Sequence, residues 1–279
     1  MWVWSKLSSA KWGDAWEERF HALPDTSLVI TEIAGKKSIR VEMYCQRKAD
    51  AARIQKQFGG TVRPLKKENW AAMAMPHIAP IKIRGRFLVV SDTDEKTLAH
   101  YRAEHPGREL LIIPVEMAFG TGDHPTTAAC LRLVCDLPLA GQRVLDLGCG
   151  TGILALAARK LGAARVLAVD FDPEAVAASK RNARRNGVRG IDFQRQDVLA
   201  WTPDEAPFDV ILANIFADVL TASFPKMKKL LARDGVLILS GILDKSAPGL
   251  LEEGRAAGFH FTEVIQRGKW VTAVARHEG

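Results

Sequence analysis

The segment Val144-Leu145-Asp146-Leu147-Gly148-Cys149-Gly150-Thr151-Gly152 constrains the fold of this chain more than any other. A strand-like run enters three glycines at alternate positions, and a helical pattern, Ile153 to Leu161, follows at once. A strand that turns into a helix through glycines lets bare backbone approach a ligand closely. Beyond about residue 109 the same alternation recurs. Apolar strands are expected at Val144 to Leu147, Val166 to Val169, Val210 to Ala213 and Val236 to Leu239, with helices at Ile153 to Leu161, Glu174 to Asn186 and Ala217 to Leu231. This predicts a doubly wound, Rossmann-like α/β sheet, parallel and covered by helices on both faces. Ligands of such sheets bind beyond the carboxyl ends of the strands.

The residues around the glycines narrow the ligand. A dinucleotide fingerprint wants Gly or Ala at its sixth position, and here that position is Ile153, with the third glycine one place early at Gly152. Asp146, just before the loop, would repel a pyrophosphate and suits a ligand with an ammonium group. S-adenosylmethionine is such a ligand. Asp170 ends the next strand, 22 residues after Gly148, where a carboxylate can accept bonds from both ribose hydroxyls. A helix-capping role shared with Asp172 is the alternative for Asp170. Asp197 follows a strand around Ile191 to Arg195 and can meet an adenine amino group, or serve only as a loop aspartate. Asn214 ends Phe208-Asp209-Val210-Ile211-Leu212-Ala213-Asn214 and points its amide toward the same crevice.

The N-terminal part reads differently. Residues 1–65 alternate as βαββαβ, which predicts a ferredoxin-like α+β domain, with Pro64 suiting an edge strand. Most of Trp2, Trp4, Trp12 and Trp16 fill a small core in this reading rather than form a recognition surface. Residues 66–108 are expected to be a linker carrying a short hairpin around Arg84-Gly85-Arg86, and residues 109–279 the ligand-binding domain. Residues 1–105 hold 18 Lys and Arg against 12 Asp and Glu, whereas residues 106–279 hold 21 against 20. The basic excess is therefore N-terminal, which suits a nucleic-acid or ribonucleoprotein partner as well as a merely solvated surface. Cys45, Cys130, Cys135 and Cys149 show neither Cys-x-x-Cys spacing nor a nearby His-x3-His, so reduced thiols are expected, with no metal site. With no apolar run long enough to span a membrane and no signal-peptide layout, a cytoplasmic protein is expected.

Taken together, these motifs resemble a known family. The acidic, glycine-rich first loop and the acid after the second strand are similar to those of class I S-adenosylmethionine-dependent methyltransferases. More specifically, Met117-Ala118-Phe119-Gly120-Thr121-Gly122-Asp123-His124-Pro125-Thr126-Thr127, Asp146 to Gly152, Val169-Asp170-Phe171-Asp172-Pro173, Ala213-Asn214-Ile215 and Leu239-Ser240-Gly241-Ile242-Leu243 resemble the PrmA family. Its members methylate ribosomal protein L-eleven of the large subunit, and use a small N-terminal ferredoxin-like domain to recognise it. The resemblance implies S-adenosylmethionine as cofactor, held by Thr127, Gly148, Asp170 and Asn214, with Asp146, Gly150, Gly152 and Asp197 beside them, and a Thr-rich segment folded over the methionine end. It implies transfer to Lys side chains, and the N-terminal amine, of the ribosomal protein. The substrate would be met free or near the ribosome, where direct RNA contact stays open. Two residues depart from the pattern: Asp123 where Thr is common and Glu116 where Gly is usual.

His124 invites assignment as a general base, because an amine must be neutral to be methylated. Its flanking Pro125 and threonines favour a loop or helix-start role instead. No catalytic base is named, since displacement from a sulfonium needs positioning and desolvation rather than a metal or a covalent intermediate. Two rivals stand beside this reading: an RNA or small-molecule methyltransferase, against which Asn214-Ile215-Phe216-Ala217 counts by lacking the prolines of Asn-Pro-Pro-Tyr segments, and a ribosome-associated binding protein without activity.

Overall fold

The computed structural model describes residues 2–12, 16, 20, 26–33, 37–64, 79–115, 118–204 and 207–277. The chain divides into two compact units, Met1–Ala74 and Met75–Gly279.

In the first unit, strands β1 (Trp2–Ser9), β2 (Thr26–Glu32), β3 (Ser38–Cys45) and β4 (Thr61–Pro64) form a sheet in the order β2-β3-β1-β4, every pair antiparallel. That order, with the helix Lys48–Phe58 between β3 and β4 and helical Trp16 and Phe20 between β1 and β2, is the ferredoxin-like arrangement. Ile39, Val41, Met43 and Cys45 alternate toward one face and pack on Ala51 and Ile54 of the helix. Trp4 and Trp16 are buried in this core and Trp2 packs against it, while Trp12 is 53% exposed. Tryptophan thus serves the core at three of four positions. Pro64 lies on the edge strand β4, where its missing N–H leaves no ladder bond unmade.

The second unit begins with strands β5 (Ile81–Ile83) and β6 (Phe87–Val90), an antiparallel hairpin, and β7 (Glu109–Ile112), parallel to β6. Between β6 and β7 lies the helix Glu95–Glu104, started by Asp94, whose carboxylate accepts from Thr97 N at 2.9 Å. Its buried residues are only Leu98 and Tyr101, so its apolar stripe was too thin to be seen in the sequence, where residues 66–108 read as a linker with a hairpin.

The main sheet has seven strands: β8 (Arg143–Leu147), β9 (Arg165–Asp170), β10 (Ile191–Arg195), β11 (Phe208–Asn214), β12 (Leu231–Leu243), β13 (Phe259–Arg267) and β14 (Trp270–His277). Their order is β10-β9-β8-β11-β12-β14-β13. The first five are parallel, as the alternation required, whereas β13 and β14 pair antiparallel with each other and β14 antiparallel with β12. Only Gly268 and Lys269 separate β13 from β14, and so short a loop can join only antiparallel strands. Successive residues of a strand face opposite sides, and the two sides have separate cores. Val166 and Ala168 join the core beneath helices Pro125–Asp136 and Ile153–Lys160, while Leu167 and Val169 join the one beneath Ala217–Leu230 and Ala247–Ala256. Because both faces are covered, the central strands are mostly apolar, with Asp146, Asp170 and Asn214 standing toward their carboxyl ends.

Chain direction then positions the site. From β8 the chain winds outward through β9 to β10, and it returns to place β11 on the other side of β8. The strand ends at Leu147 and Asn214 therefore flank the point where the winding reverses, the place where such sheets open a crevice.

Candidate active site

Gly148, Gly150 and Gly152 all take left-handed backbone, with φ of 71°, 54° and 79°. A side chain at Gly148 would be driven into Ile215 and one at Gly150 into the carbonyl of Phe119. Both conformation and space thus demand glycine. The segment before the sheet is tied to this loop: Thr151 N donates to Phe119 O at 2.9 Å and Thr151 Oγ1 to Gly120 O at 2.6 Å. Asn182, buried on the helix Pro173–Arg185, donates to Thr151 O at 3.0 Å. Thr151 and Asn182 were not singled out from the sequence. The signal was present in Asn182, an amide side chain on a stripe of otherwise small residues with Ala175, Ala178 and Ser179.

Asp146 is 1% exposed at the end of β8. Its Oδ2 accepts from Ala155 N at 3.1 Å, and its Oδ1 is buried with no partner. Burial, with the nearby Asp170 carboxylate adding to it, pushes the Asp146 carboxyl up to about 7. Asp170 is stationed differently. Its Oδ2 accepts from Gly150 N at 2.9 Å and its Oδ1 from Asp172 N at 3.0 Å, so it ties the glycine loop to the start of the following helix. The helix cap itself falls to Asp172, which accepts from Glu174 N at 2.9 Å ahead of Pro173. Each Asp170 oxygen keeps a second lone pair for a ligand.

Across the crevice, Asn214 Nδ2 donates to Thr127 Oγ1 at 3.3 Å, while Asn214 Oδ1 is buried and without a partner. Thr127 is 1% exposed in the first turn of the helix Pro125–Asp136. His124 caps that helix: its Nδ1 accepts from Thr126 N at 3.4 Å and lies 2.7 Å from Thr126 Oγ1. Its ring sits edge-on to Trp270 at 4.9 Å and to Phe119 at 5.2 Å. Burial lowers its pKa, outweighing the opposite pull of Asp123, so the ring stays neutral near pH 7. These contacts give His124 the helix-start role. Asp123 accepts a short hydrogen bond from Thr121 Oγ1 and is exposed; Glu116 lies outside the described residues.

Asp197 stands at the outer end of the same strand edge. Gln196 N donates to Asp170 O at 2.9 Å, and Asp197 Oδ1 accepts from Leu199 N at 2.9 Å, shaping a turn. Lys226 holds that turn from outside, donating to Val198 O at 2.5 Å, to Leu199 O at 2.9 Å and to Trp201 O. The structure therefore gathers Thr127, Asp146, the three glycines, Asp170 and Asn214 closely, with Asp197 at the periphery.

What this arrangement lacks is hydrogen-bond donors to match its acceptors. Two buried oxygens wait without partners, and a backbone cradle too tight for any side chain lies between them. S-adenosylmethionine fits the acids Asp146, Asp170 and Asp197 among these acceptors, because its ammonium, ribose hydroxyls and adenine amino group are all donors. A family profile described as ribosomal protein L11 methyltransferase (PrmA) matches residues 26–278. The chain belongs to the ribosomal protein L11 methyltransferase family. The family's cofactor is S-adenosylmethionine, and this chain is a methyltransferase that uses it. A relative of the same description from Heliobacterium modesticaldum is 38% identical over 222 residues, covering 78% of this chain and 67% of its own. One from Vibrio cholerae is 32% identical over 273 residues, covering 96% of this chain and 83% of its own. Among solved structures, the ribosomal protein L11 methylase of Lactobacillus delbrueckii subsp. bulgaricus superposes with a TM-score of 0.65 at 29% identity, over 72% of this chain and all of that one.

Proposed function

We propose that this chain methylates ribosomal protein L11 on amino nitrogens, Lys side chains and the N-terminal amine. The observation that carries the reading is the pair of buried, unpartnered acceptors, Asp146 Oδ1 and Asn214 Oδ1, on either side of the glycine cradle. Asp146 receives the cofactor's ammonium, Asp170 its ribose hydroxyls and Asp197 the adenine amino group, while Gly148, Gly150 and Gly152 let the loop backbone close on it. When bound, S-adenosylmethionine supplies an electrophilic methyl group with a neutral thioether as its leaving group.

Asn214 then positions the nucleophile. Its Nδ2 is fixed by Thr127, which aims Oδ1 into the crevice as an acceptor for an amine N–H. An amine held through its N–H presents its lone pair elsewhere, and only the neutral amine has one. An ordinary Lys titrates at about 10.4, so desolvation in the crevice has to favour the neutral form before transfer. His124 is committed to its helix cap, and the proton of the alkylated nitrogen passes to solvent. Once deprotonated again, a methylated Lys amine is still a nucleophile, so further methyls can follow.

Residues 1–65 dock the substrate, a role supported by their separate fold and by the N-terminal basic excess. The cytoplasm, where ribosomal proteins meet the ribosome, is the compartment in which this activity operates, and no helix among the described residues is long and apolar enough to cross a membrane. Incubation of purified L11 with the enzyme and labelled cofactor, read by mass spectrometry, should show increments of about 14 Da per methyl group on amines, as expected for alkylation of deprotonated nitrogen. Label in protein-free ribosomal RNA, with L11 unmodified, would refute the substrate assignment.

A further inference from the structure

One concentration of charge in the second unit lies away from the crevice. Between residues 175 and 191 there are five Lys and Arg, at positions 180, 181, 184, 185 and 189, and no Asp or Glu. Since residues 106–279 as a whole hold 21 basic against 20 acidic side chains, this stretch is a segregated patch rather than a sample of the average. Arg181, Arg184 and Arg185 share one helix face by their three- and four-residue spacing. They sit toward the C-terminal end of the helix Pro173–Arg185, at the opposite end of the sheet from the glycine loop.

Beside them is a cavity of about 320 Å³ lined by Arg102, Arg108, Lys160 and Arg185, with Glu109 as its acid. Inside it the charges nearly cancel. Lys160 pairs with Glu109 and Arg102 with Glu95, and three helices end nearby, each contributing roughly half a negative charge. A small anion buried in the cavity would therefore find little net attraction, whereas the rim is strongly positive. Two of the guanidinium groups are also held in place by neutral acceptors. Arg159 donates to Arg189 O at 3.0 Å and to Ala163 O at 2.5 Å, and Arg108 to the carbonyls of Arg84 and Phe87. Such bonds fix direction without cancelling charge, so less side-chain freedom is lost when an anion arrives.

We propose that this rim is a docking track for the phosphate backbone of RNA. An extended polyanion matches a spread of fixed cations around a neutral hollow better than a single phosphate does. The choice of RNA over another polyanion rests on the proposed substrate, a ribosomal protein that lies against RNA in its assembled state. The track leaves the crevice free, so RNA and the methyl-accepting protein can be held together.

The test is fluorescence anisotropy of a labelled double-stranded RNA hairpin with the full chain, titrated over a range of KCl concentrations. The double variant Arg184→Ala/Arg189→Ala should weaken binding and flatten the dependence of log K on log salt by about 2, one for each cation taken from a phosphate. Lys228→Ala/Lys229→Ala, which removes the same charge from the exposed end of the helix Ala217–Leu230, should leave the slope unchanged. Equal flattening by both variants, displacement of the RNA by inorganic phosphate, or binding of polyglutamate but not RNA would each overturn the proposal. Methyl transfer to free L11 should be the same in the Arg variant as in the wild type. Absence of transfer in both proteins, with RNA binding intact, would refute the proposed substrate and leave the track standing.

Discussion

Asp146 makes opposite demands on stability and on binding, and the replacement Asp146→Asn separates them. In the folded chain without cofactor, burial pushes its carboxyl from an ordinary 3.8 up to about 7. The unfolded chain has already released this proton by pH 5, whereas the folded chain keeps it until about pH 7. Between these values the folded state binds more protons, so stability falls as pH rises and levels off above about pH 7. At 1.36 kcal/mol per unit, the carboxylate costs the fold on the order of 4 kcal/mol at pH 8 and well under 1 kcal/mol at pH 4. An amide removes that cost and keeps an oxygen for Ala155 N, but buries an N–H₂ group in place of the unpartnered Oδ1. That burial costs about 1 to 3 kcal/mol, so a net gain of roughly 1 to 3 kcal/mol is expected at pH 8. Cofactor binding should respond in the other direction. A cationic partner needs the carboxylate, so wild-type affinity should rise about tenfold per pH unit below pH 7 and flatten above it, and Asp146→Asn should lose both affinity and pH dependence. Urea denaturation from pH 4 to 9 and titration calorimetry over the same range test both halves. If Asp146→Asn were less stable than wild type at pH 8, or kept its cofactor affinity, the assignment of Asp146 as a strained, ligand-relieved carboxylate would fail.

The remaining expectations concern the same crevice. Asp170→Ala should weaken cofactor binding roughly ten- to a hundredfold through loss of charge-assisted bonds of about 1.5 to 3 kcal/mol; unchanged affinity by calorimetry would remove Asp170 from the site. Gly150→Ala combines a left-handed φ of 54° with a collision against the Phe119 carbonyl, so both cofactor binding and the melting temperature should drop, and a neutral result would mean that the 119–151 contact yields easily. Lys226→Met should loosen the turn carrying Asp197 and cost on the order of 1.4 kcal/mol, about tenfold in cofactor affinity, with methyl acceptor KM unmoved; a shift in acceptor KM alone would contradict that role. A fragment starting at Met75 should retain cofactor binding and lose most activity on L11, and full activity would refute substrate docking by the N-terminal unit.

Much of this architecture was legible in the sequence, for reasons visible in particular residues. The central strands announced themselves because Val144 to Leu147 and Val210 to Ala213 are buried on both faces, leaving little room for polar residues. The helix Pro173–Arg185 carried its own start signal in Asp172 and Pro173. The C-terminal hairpin was not legible. Strand β13 alternates Phe259 and Phe261 with His260 and Thr262 and then loses the alternation at Glu263-Val264-Ile265, so that it reads as an edge without saying which strand it joins. The helix Glu95–Glu104 hid for a similar reason, with only two buried side chains.

At the site, identity was easier to read than role. The acids and glycines were visible at the right strand ends, but Asp170 reads as a ribose acceptor only so long as its neighbours in space are unknown. In the fold it also holds Gly150 N and Asp172 N, bonds between segments that sequence spacing alone does not pair. This double duty changes what its substitution measures. Removing the carboxylate takes away a ligand contact and also releases the loop that forms the rest of the cradle, so the loss of affinity can exceed the ribose bonds themselves. Asp146 differs: its one structural bond, to Ala155, survives in the amide, and its free oxygen faces the ligand space. Charge and scaffold are therefore separable at Asp146 and coupled at Asp170, which makes the first residue the cleaner probe of what the crevice binds.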